Sequence, residues 1–211
     1  MVAKFPAVEM ADETGLLAIG GDLEVATLEL AYRNGIFPWP IDEQPILWFA
    51  PPKRAIIEFN QFRISRRLQR YLRKADFEFR FNTDFKGVIQ ACAHSKNRKG
   101  QHGTWITESM IQAYIEFHTC GYAHSFEAFN HQDELIAGLY GVLIGKYFAG
   151  ESMFHKIPHA SKFVLIQTVQ FLQNRGLKWM DVQILSPFLK HFGAIEIPRE
   201  QFMMKLKQAI G

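Results

Sequence analysis

A carboxylic acid and a carboxamide, separated by one residue, are the side chains of this sequence best placed to do chemistry. Asp181 and Gln183 end a short apolar run. Side chains alternate along a strand, so the two would share one face. An amide is not a base near neutral pH, and Gln183 would therefore orient a reacting group or donate a hydrogen bond to a developing oxyanion. Asp181 could orient Gln183, accept a proton or pair with a cation; the alternative is an exposed carboxylate at the end of a strand.

The acid and the amide end a segment, residues 145–183, whose pattern predicts a strand, a turn, a helix and a strand. The first strand is expected at Tyr147–Gly150 and is followed by Glu151. The helix is expected to open near Pro158–Ser161, since proline is tolerated in a first turn and serine accepts an orphan N–H. Gly176 would end the helix. The segment therefore predicts that Glu151 lies at the end of the strand that neighbours the acid and the amide.

A strongly basic helix is the second feature of the sequence. Residues 62–74 contain five arginines and no acidic residue, and their cations recur at helical spacing. The cationic positions are Arg63, Arg66, Arg67, Arg70, Arg73 and Lys74. A cationic face without acidic partners favours phosphate binding, although a merely solvated face is the alternative. Such contacts would position an RNA backbone without reading its sequence.

Composition limits the class of protein. The chain has 211 residues, of which 48% are hydrophobic and 21% charged, as is ordinary for one or two globular domains. Its net charge of +3 means that a nucleic-acid site would be a local patch. The two cysteines and eight histidines lack metal-site spacing, so no metal is expected. No apolar run approaches the ~20 residues of a membrane span, and no signal peptide is recognised. We therefore expect a cytoplasmic protein with reduced thiols.

The order of predicted elements indicates an α+β fold. From residue 76 onward it is β–α–α–β–β–β–α–β–α–α, with a mixed, mostly antiparallel sheet. We expect a small N-terminal α/β domain at residues 1–75, which carries the basic helix, and a second domain at residues 76–211. The order is that of the GCN5-related N-acetyltransferase (GNAT) fold, an analogy of fold alone. Residues 154–162 lack that fold's glycine-rich pyrophosphate loop, which argues against coenzyme A as a donor.

Short ordered motifs point to one family. They are GLLAIGGD at Gly15–Asp22, GIFPW at Gly35–Trp39, Trp48 with Pro51, GTWIT at Gly103–Thr107, YAHSFE at Tyr122–Glu127, GLYG at Gly138–Gly141, GESMF at Gly150–Phe154, ASK at Ala160–Lys162 and DVQ at Asp181–Gln183. The chain resembles the leucyl/phenylalanyl-tRNA–protein transferases over nearly all of residues 15–198. The resemblance implies a bacterial, cytosolic aminoacyltransferase without a cofactor. It would move leucine or phenylalanine from tRNA onto the α-amino group of proteins that begin with arginine or lysine, marking them for degradation under the N-end rule.

The resemblance also implies roles for the reaction centre. It puts Asp181 and Gln183 at that centre and suggests a relay from the first to the second. Glu151, which follows Gly150 in the GESMF motif, would recognise a positive charge of the acceptor or help seat the ribose.

The donor side chain needs an apolar pocket without a buried hydrogen-bonding group. Candidates by residue type and strand position are Leu139, Phe148, Met153, Leu165 and Met180, with ordinary core packing as the alternative for each. Flexible methionines accept both branched and flat shapes. Trp39 and Trp105 match family positions that flank the terminal adenosine, where stacking contributes roughly 1–3 kcal/mol per base.

Two other functions compete with the transferase. A coenzyme A-dependent N-acyltransferase of the GNAT type would need the phosphate loop that this sequence lacks. A non-catalytic RNA-binding module would use the basic helix alone. As partners we expect leucyl-tRNA, phenylalanyl-tRNA and proteins with N-terminal arginine or lysine; we expect no membrane contact and a monomer.

Overall fold

The computed structural model describes residues 2–39, 45–95 and 106–211. Within these ranges the strands are β1 (Leu16–Ile19), β2 (Phe37–Pro38), β3 (Leu47–Phe49), β4 (Lys53–Glu58), β5 (Glu78–Phe81), β6 (Ala123–Phe129), β7 (Leu135–Ile144), β8 (Tyr147–His155), β9 (Trp179–Gln183) and β10 (Ile195–Pro198). The α-helices of the same ranges are α1 (Val25–Arg33), α2 (Arg66–Leu72), α3 (Phe85–Ala93), α4 (Glu108–Thr119), α5 (Ala160–Asn174), α6 (Pro187–His191) and α7 (Arg199–Ile210). None of these helices is both long and apolar enough to cross a membrane.

A seven-stranded sheet carries most of the chain, in the order β10-β4-β9-β8-β7-β6-β5. Neighbouring strands are antiparallel, apart from β8 and β9, which run parallel. A parallel pair needs a crossover connection, and α5 supplies it. The second sheet is antiparallel, in the order β1-β3-β2. The predicted α+β, GNAT-like fold with a mixed, mostly antiparallel sheet is confirmed.

Helices pack on both faces of the large sheet. Alternate residues of β7 divide between the two faces: Tyr140 joins the core formed with α3 and α4, and Leu139 joins the core formed with α5. Leu165 and Leu172 anchor α5 and are fully buried. Burying a side chain of this size contributes ~1.5–3 kcal/mol. These side chains hold α5 against this face of the large sheet.

Two glycines inside β7 admit close neighbours, which is a common reason for glycine in a strand interior. A Cβ atom at Gly138 would lie 2.7 Å from the Val88 side chain of α3. A Cβ atom at Gly141 would lie 2.3 Å from the carbonyl oxygen of Ala149 on β8. A side chain at either position would force the packed elements apart.

Side chains cap some of the helix N-termini. The hydroxyl of Thr107 accepts the Met110 N–H at 3.3 Å and caps α4. The basic helix, α2, covers only Arg66–Leu72 of the cationic residues 62–74, and Ser65 caps it. The first residue outside α5 is His159, with φ of +67° and no side-chain cap, whereas Ser161 lies inside the helix. The predicted serine cap of α5 is therefore wrong.

Three strands differ from the sequence-based prediction. β8 continues to His155 instead of ending at Gly150. β10 was not predicted, and it pairs with β4. β4 precedes residue 76 but also pairs with β9 inside the large sheet. The division into domains at residues 1–75 and 76–211 stays a prediction, and the large sheet crosses it.

Candidate active site

A cavity of about 480 Å³ opens beside the parallel strands β8 and β9. The two strands are in register at Ala149 and Asp181, and residues that follow on each strand line the cavity. Its wall consists of Trp39, Ser95, Leu139, Gly150, Glu151, Ser152, Met153, His155, Ser161, Leu165, Met180, Val182, Gln183, Ser186, Phe188 and Leu189. Apolar side chains make up one part of this wall, and Glu151 and Gln183 add a carboxyl and an amide.

A β-bulge shapes the β8 side of the cavity. The register between β7 and β8 shifts between Tyr140 and Gly141, and Glu151 is the extra residue on β8. The shift brings Met153 to the face of the sheet that Gly150 occupies, although strict alternation would separate them. Bulges of this kind re-aim side chains beside active sites.

Gln183 has a backbone conformation that is rare outside glycine. Its φ is +54°, and the Ile184 N–H donates to the Val182 carbonyl at 2.6 Å, closing a three-residue turn. Such conformations cost about 1–3 kcal/mol and persist only where the surroundings impose them. The side-chain Nε2 of Gln183 donates to Oε1 of Glu151 at 2.8 Å. The amide is therefore held in the cavity wall from both its backbone and its side chain.

Asp181 is fully buried and does not line the cavity. Its carboxylate accepts hydrogen bonds from the Arg54 guanidinium at 2.7–3.0 Å and from the Tyr147 hydroxyl at 2.7 Å. It also accepts the backbone N–H of Gln183 at 2.9 Å. Its connection to the cavity is therefore the backbone of Gln183.

A second bulge explains why the acid and the amide diverge. On β4, Ile56 pairs with Asp181 and the preceding Ala55 pairs with Gln183, so Val182 is an extra residue on β9. Adjacent residues of β4 point to opposite faces of the sheet, and so do their partners. The prediction that Asp181 and Gln183 share a face is wrong for this reason.

Arg54 is the partner of Asp181 that sequence reasoning missed. Its guanidinium lies 4.5 Å from the ring centroid of Phe37 and 4.6 Å from that of Phe202, and it donates to the Gly35 carbonyl at 3.1 Å. Burial disfavours the charged form, but Asp181 outweighs this effect, and the pKa of Arg54 lies above its ordinary value. The only sequence signal was an arginine beside the apolar run of β4.

Glu151 is a titratable group in the cavity wall. Burial raises the pKa of Glu151 to about 8; a hydrogen bond with Tyr32 works against this rise, and the charge of Asp181 adds to it. The Tyr32 hydroxyl is also hydrogen-bonded to that of Tyr114. An α-amino group has an ordinary pKa of about 7.7–8.0, so Glu151 titrates where such an amine does.

Most of the predicted donor-pocket residues lie together. Of the five side chains predicted for the donor pocket, Leu139, Met153, Leu165 and Met180 line the cavity, and Trp39, predicted to flank the adenosine, and Gly150 line it too. Phe148 does not, because it is fully buried in the core, 5.5 Å from Phe126 between ring centroids. Trp105 lies outside the described residues. Phe188 and Leu189 of α6 line the cavity but were not predicted, since a helix this short carries no periodic signal.

The cationic residues of the basic helix are exposed. Arg63, Arg66, Arg67, Arg70, Arg73 and Lys74 all have solvent-accessible side chains on α2 or its flanks. None of the six takes part in the ion pairs formed between described residues. Across the described residues, no three His, Cys, Asp or Glu side chains cluster in a way that could hold a metal ion.

Family models match both parts of the chain. The model described as leucyl/phenylalanyl-tRNA protein transferase matches residues 56–207, and the model of that family's N-terminal domain matches residues 21–52. A leucyl/phenylalanyl-tRNA–protein transferase of Solidesulfovibrio magneticus is 45% identical over 97% of this chain and 82% of its own length. One of Flavobacterium johnsoniae is 46% identical over 96% of this chain and 95% of its own length.

Among solved structures, FemX is similar with a TM-score of 0.52 and 10% sequence identity, over 82% of this chain and 66% of that chain. This likeness concerns the fold alone. The family models and the relatives span nearly the whole chain, including the cavity and both of its bulged strands. The chain therefore belongs to the leucyl/phenylalanyl-tRNA–protein transferase family.

Proposed function

We propose that the cavity beside β8 and β9 holds the leucyl or phenylalanyl group of an aminoacyl-tRNA while it is transferred to the α-amino group of a protein. Family membership implies the transfer itself. The observation that supports this location is a largely apolar wall in which Glu151 and Gln183 are hydrogen-bonded to each other. The donor side chain would occupy the apolar part, with its ester carbonyl beside these two groups.

The apolar part of the wall suits leucine and phenylalanine, which offer no hydrogen-bonding group. Leu139, Met153 and Met180 lie in this part, and methionine adapts to either shape. Rejection of valine or isoleucine would rest on shape. Valine lacks one methylene of leucine, which changes binding by only ~1–3 kcal/mol, so discrimination against valine would be modest.

Gln183 would act as a hydrogen-bond donor and not as a base. Its amide has two N–H groups, of which one is donated to Glu151 and the other is available for the ester oxygen as it becomes an oxyanion. A single donor of this kind contributes about 2.7–4 kcal/mol to the transition state. Asp181 would be a positioning residue whose carboxylate accepts the backbone N–H of Gln183, so the suggested relay would be a chain of hydrogen bonds that transfers no proton.

Glu151 would accept a proton from the acceptor. Its ionised carboxylate takes one proton from the α-ammonium group and later releases it to solvent. The neutral amine then attacks the ester carbonyl and forms the C–N bond. As the tetrahedral intermediate collapses, the ester C–O bond breaks and a second N–H proton passes to the leaving ribose oxygen. The match between the pKa of Glu151, about 8, and that of an α-amino group supports this role.

A smaller cavity supports a cationic first residue on the acceptor. It has a volume of about 140 Å³, adjoins the acyl cavity and shares Trp39, Glu151 and Gln183 with it. Phe37 also lines it. A lysine or arginine side chain over the Trp39 ring would gain roughly 0.5–2 kcal/mol from cation–π attraction, whereas the Phe37 ring already faces the Arg54 guanidinium. We therefore place N-terminal arginine or lysine here.

The basic helix, within residues 1–75, would contact the tRNA backbone through the six cations named above. Trp39, which lines the acyl cavity, would stack on the terminal adenosine. Trp105 is proposed for the same role on the resemblance alone. Because its tRNA donors are cytoplasmic, the enzyme would act in the cytoplasm. We also propose that it acts as a monomer and makes no membrane contact.

Transfer of labelled leucine from leucyl-tRNA tests this function. The acceptors are three peptides that differ only in their first residue, arginine, lysine or methionine, and an N-acetylated arginine peptide is the control without a free amine. We expect label on the arginine and lysine peptides alone. Equal labelling of all three free peptides would refute the acceptor assignment. Transfer from acetyl-coenzyme A but not from leucyl-tRNA would refute the donor assignment.

A further inference from the structure

A second, wider groove of about 900 Å³ lies beside the acyl cavity. Residues of α2, of the start of α5 and of α6 line it, and we name it the basic groove. Phe188 of α6 belongs to the wall of both the basic groove and the acyl cavity. A linear ligand that leaves the acyl cavity past Phe188 would therefore enter the basic groove.

The wall of the basic groove combines fixed positive charge with aromatic rings. Arg63, Arg67 and Lys162 line it, and among the described residues no aspartate or glutamate does. Tyr71 also lines it and is 43% exposed, as a ring available for stacking. Cations that follow a phosphate backbone and rings that stack on bases are the shared chemistry of single-strand nucleic-acid sites.

His159, which lines the basic groove, has an unusual backbone conformation and an unusual side-chain environment. Its φ is +67°, and within the described structure its Nδ1 atom is buried without a hydrogen-bond partner. His159 packs edge-on against Tyr71, with ring centroids 4.6 Å apart. It precedes α5, a helix of fifteen residues that begins without a side-chain cap. The positive end of that helix adds to the attraction for an anion that Lys162 and Arg67 create.

We infer that the basic groove holds the unpaired nucleotides that precede the terminal adenosine at the 3′ end of the donor tRNA. This inference rests on the proposed function, in which the aminoacyl-adenosine occupies the acyl cavity. The phosphates of these nucleotides contact Arg67 and Lys162, and their bases stack on Tyr71 and Phe188. Arg66 and Arg70, which do not line the groove, remain for the rest of the tRNA.

Two synthetic donors separate the basic groove from the acyl cavity. They are 3′-phenylalanyl-adenosine and 3′-phenylalanyl-CpCpA, which differ only by two nucleotides. In the wild-type protein we expect a higher kcat/KM for the longer donor. In the double variant Arg67→Gln/Lys162→Gln the ratio of the two values should fall about tenfold, because two cations that face phosphates are removed. Lys190→Gln is the matched control, because Lys190 is an exposed cation of α6 outside the groove wall, and it should keep the wild-type ratio.

Binding of uncharged CpCpA gives a second measurement that does not depend on turnover. We expect the double variant to bind this trinucleotide about tenfold more weakly than the wild type and than Lys190→Gln. An unchanged ratio together with unchanged CpCpA affinity would overturn the inference. A higher KM for the acceptor peptide alone would also overturn it and assign the groove to the acceptor protein. Transfer from neither donor, with CpCpA binding still sensitive to the double variant, would refute the proposed function and support the groove.

Discussion

Arg54 and Asp181, 127 residues apart in the sequence, form a buried ion pair in which Nε and Nη2 of the arginine lie 2.9 and 2.7 Å from the two carboxylate oxygens. The pair joins neighbouring strands of the large sheet, and the same carboxylate accepts the backbone N–H of Gln183. A residue of the first third of the chain therefore helps to fix the amide in the cavity wall.

Removing one member of this pair should destabilise the protein strongly. Asp181→Asn leaves the Arg54 guanidinium buried without its counter-charge, which costs ~3–5 kcal/mol of unfolding free energy. Equilibrium denaturation by urea measures this loss. Glu78→Gln is the control, since it removes one partner of the more exposed Arg80–Glu78 pair at 2.8 Å, and such pairs contribute about 0–1 kcal/mol. A similar small loss for Asp181→Asn would contradict the account.

Glycine should be tolerated better than alanine at position 183. Both Gln183→Gly and Gln183→Ala remove the amide and should lower kcat by about 10²–10³-fold. Glycine adopts a positive φ without strain, so Gln183→Gly should be the more stable of the two by ~1 kcal/mol in thermal melts. At Glu196 of β10, where φ is negative, the stability order of the two variants should be reversed, with Glu196→Ala more stable than Glu196→Gly. If the alanine variant is the more stable one at position 183 as well, the backbone of Gln183 is not strained.

The sequence predicted the fold well where elements are long and regular. From residue 76 onward the predicted order of strands and helices holds apart from β10, and α5 ends just before Gly176, as predicted. β10 was missed because four residues that end in Pro198 carry too little pattern, and it forms against β4. Strand pairing of this kind depends on residues far apart in the sequence, which local patterns do not report.

The sequence named most of the residues of the candidate site, but it did not predict how they are arranged. The sequence indicated Glu151 and Gln183, and both line the cavity. It did not indicate the bulges, which turn Asp181 away from the cavity and bring Met153 to it. A bulge adds one residue and reverses the face of every residue beyond it, and no residue type in these strands signals that change. Arg54 was missed because a long-range ion pair has no sequence spacing.

Glu151 should make the stability of the protein depend on pH. Its pKa rises from 4.5 to about 8 on folding, so between these pH values the folded state binds more protons than the unfolded state. The free energy of unfolding contributed by Glu151 is fully present below pH ~4.5 and is lost as the pH rises through about 8. Glu151→Gln should therefore flatten this decline in urea denaturation series between pH 5 and 8.5, and it should also slow transfer.

The matched control for this series is Glu196→Gln, at an exposed glutamate of β10. It should keep the wild-type dependence of stability on pH. If Glu151→Gln keeps it as well, the burial of the Glu151 carboxyl does not govern its titration, and its role as proton acceptor loses support.

The outer cations of α2 should set the salt dependence of tRNA binding. Removing one cation that pairs with a phosphate lowers the slope of log Kobs against log salt by roughly 0.7–0.9, so Arg66→Gln/Arg70→Gln should lower it by about 1.4–1.8. Filter binding of charged tRNA at several salt concentrations measures the slope. Lys4→Gln/Lys207→Gln removes two other exposed cations and should leave the slope near the wild-type value. Equal slopes for both double variants would exclude α2 as the RNA-binding element.

The most direct test of the central claim is a crystal structure with a non-hydrolysable phenylalanyl-adenosine analogue, in which an amide replaces the ester. We predict that the phenyl ring packs within ~4 Å of Leu139, Met153 and Met180. The carbonyl oxygen should lie ~2.7–3.2 Å from Nε2 of Gln183. A phenyl ring bound outside this cavity, or a carbonyl turned away from Gln183, would contradict the acyl-transfer site described above.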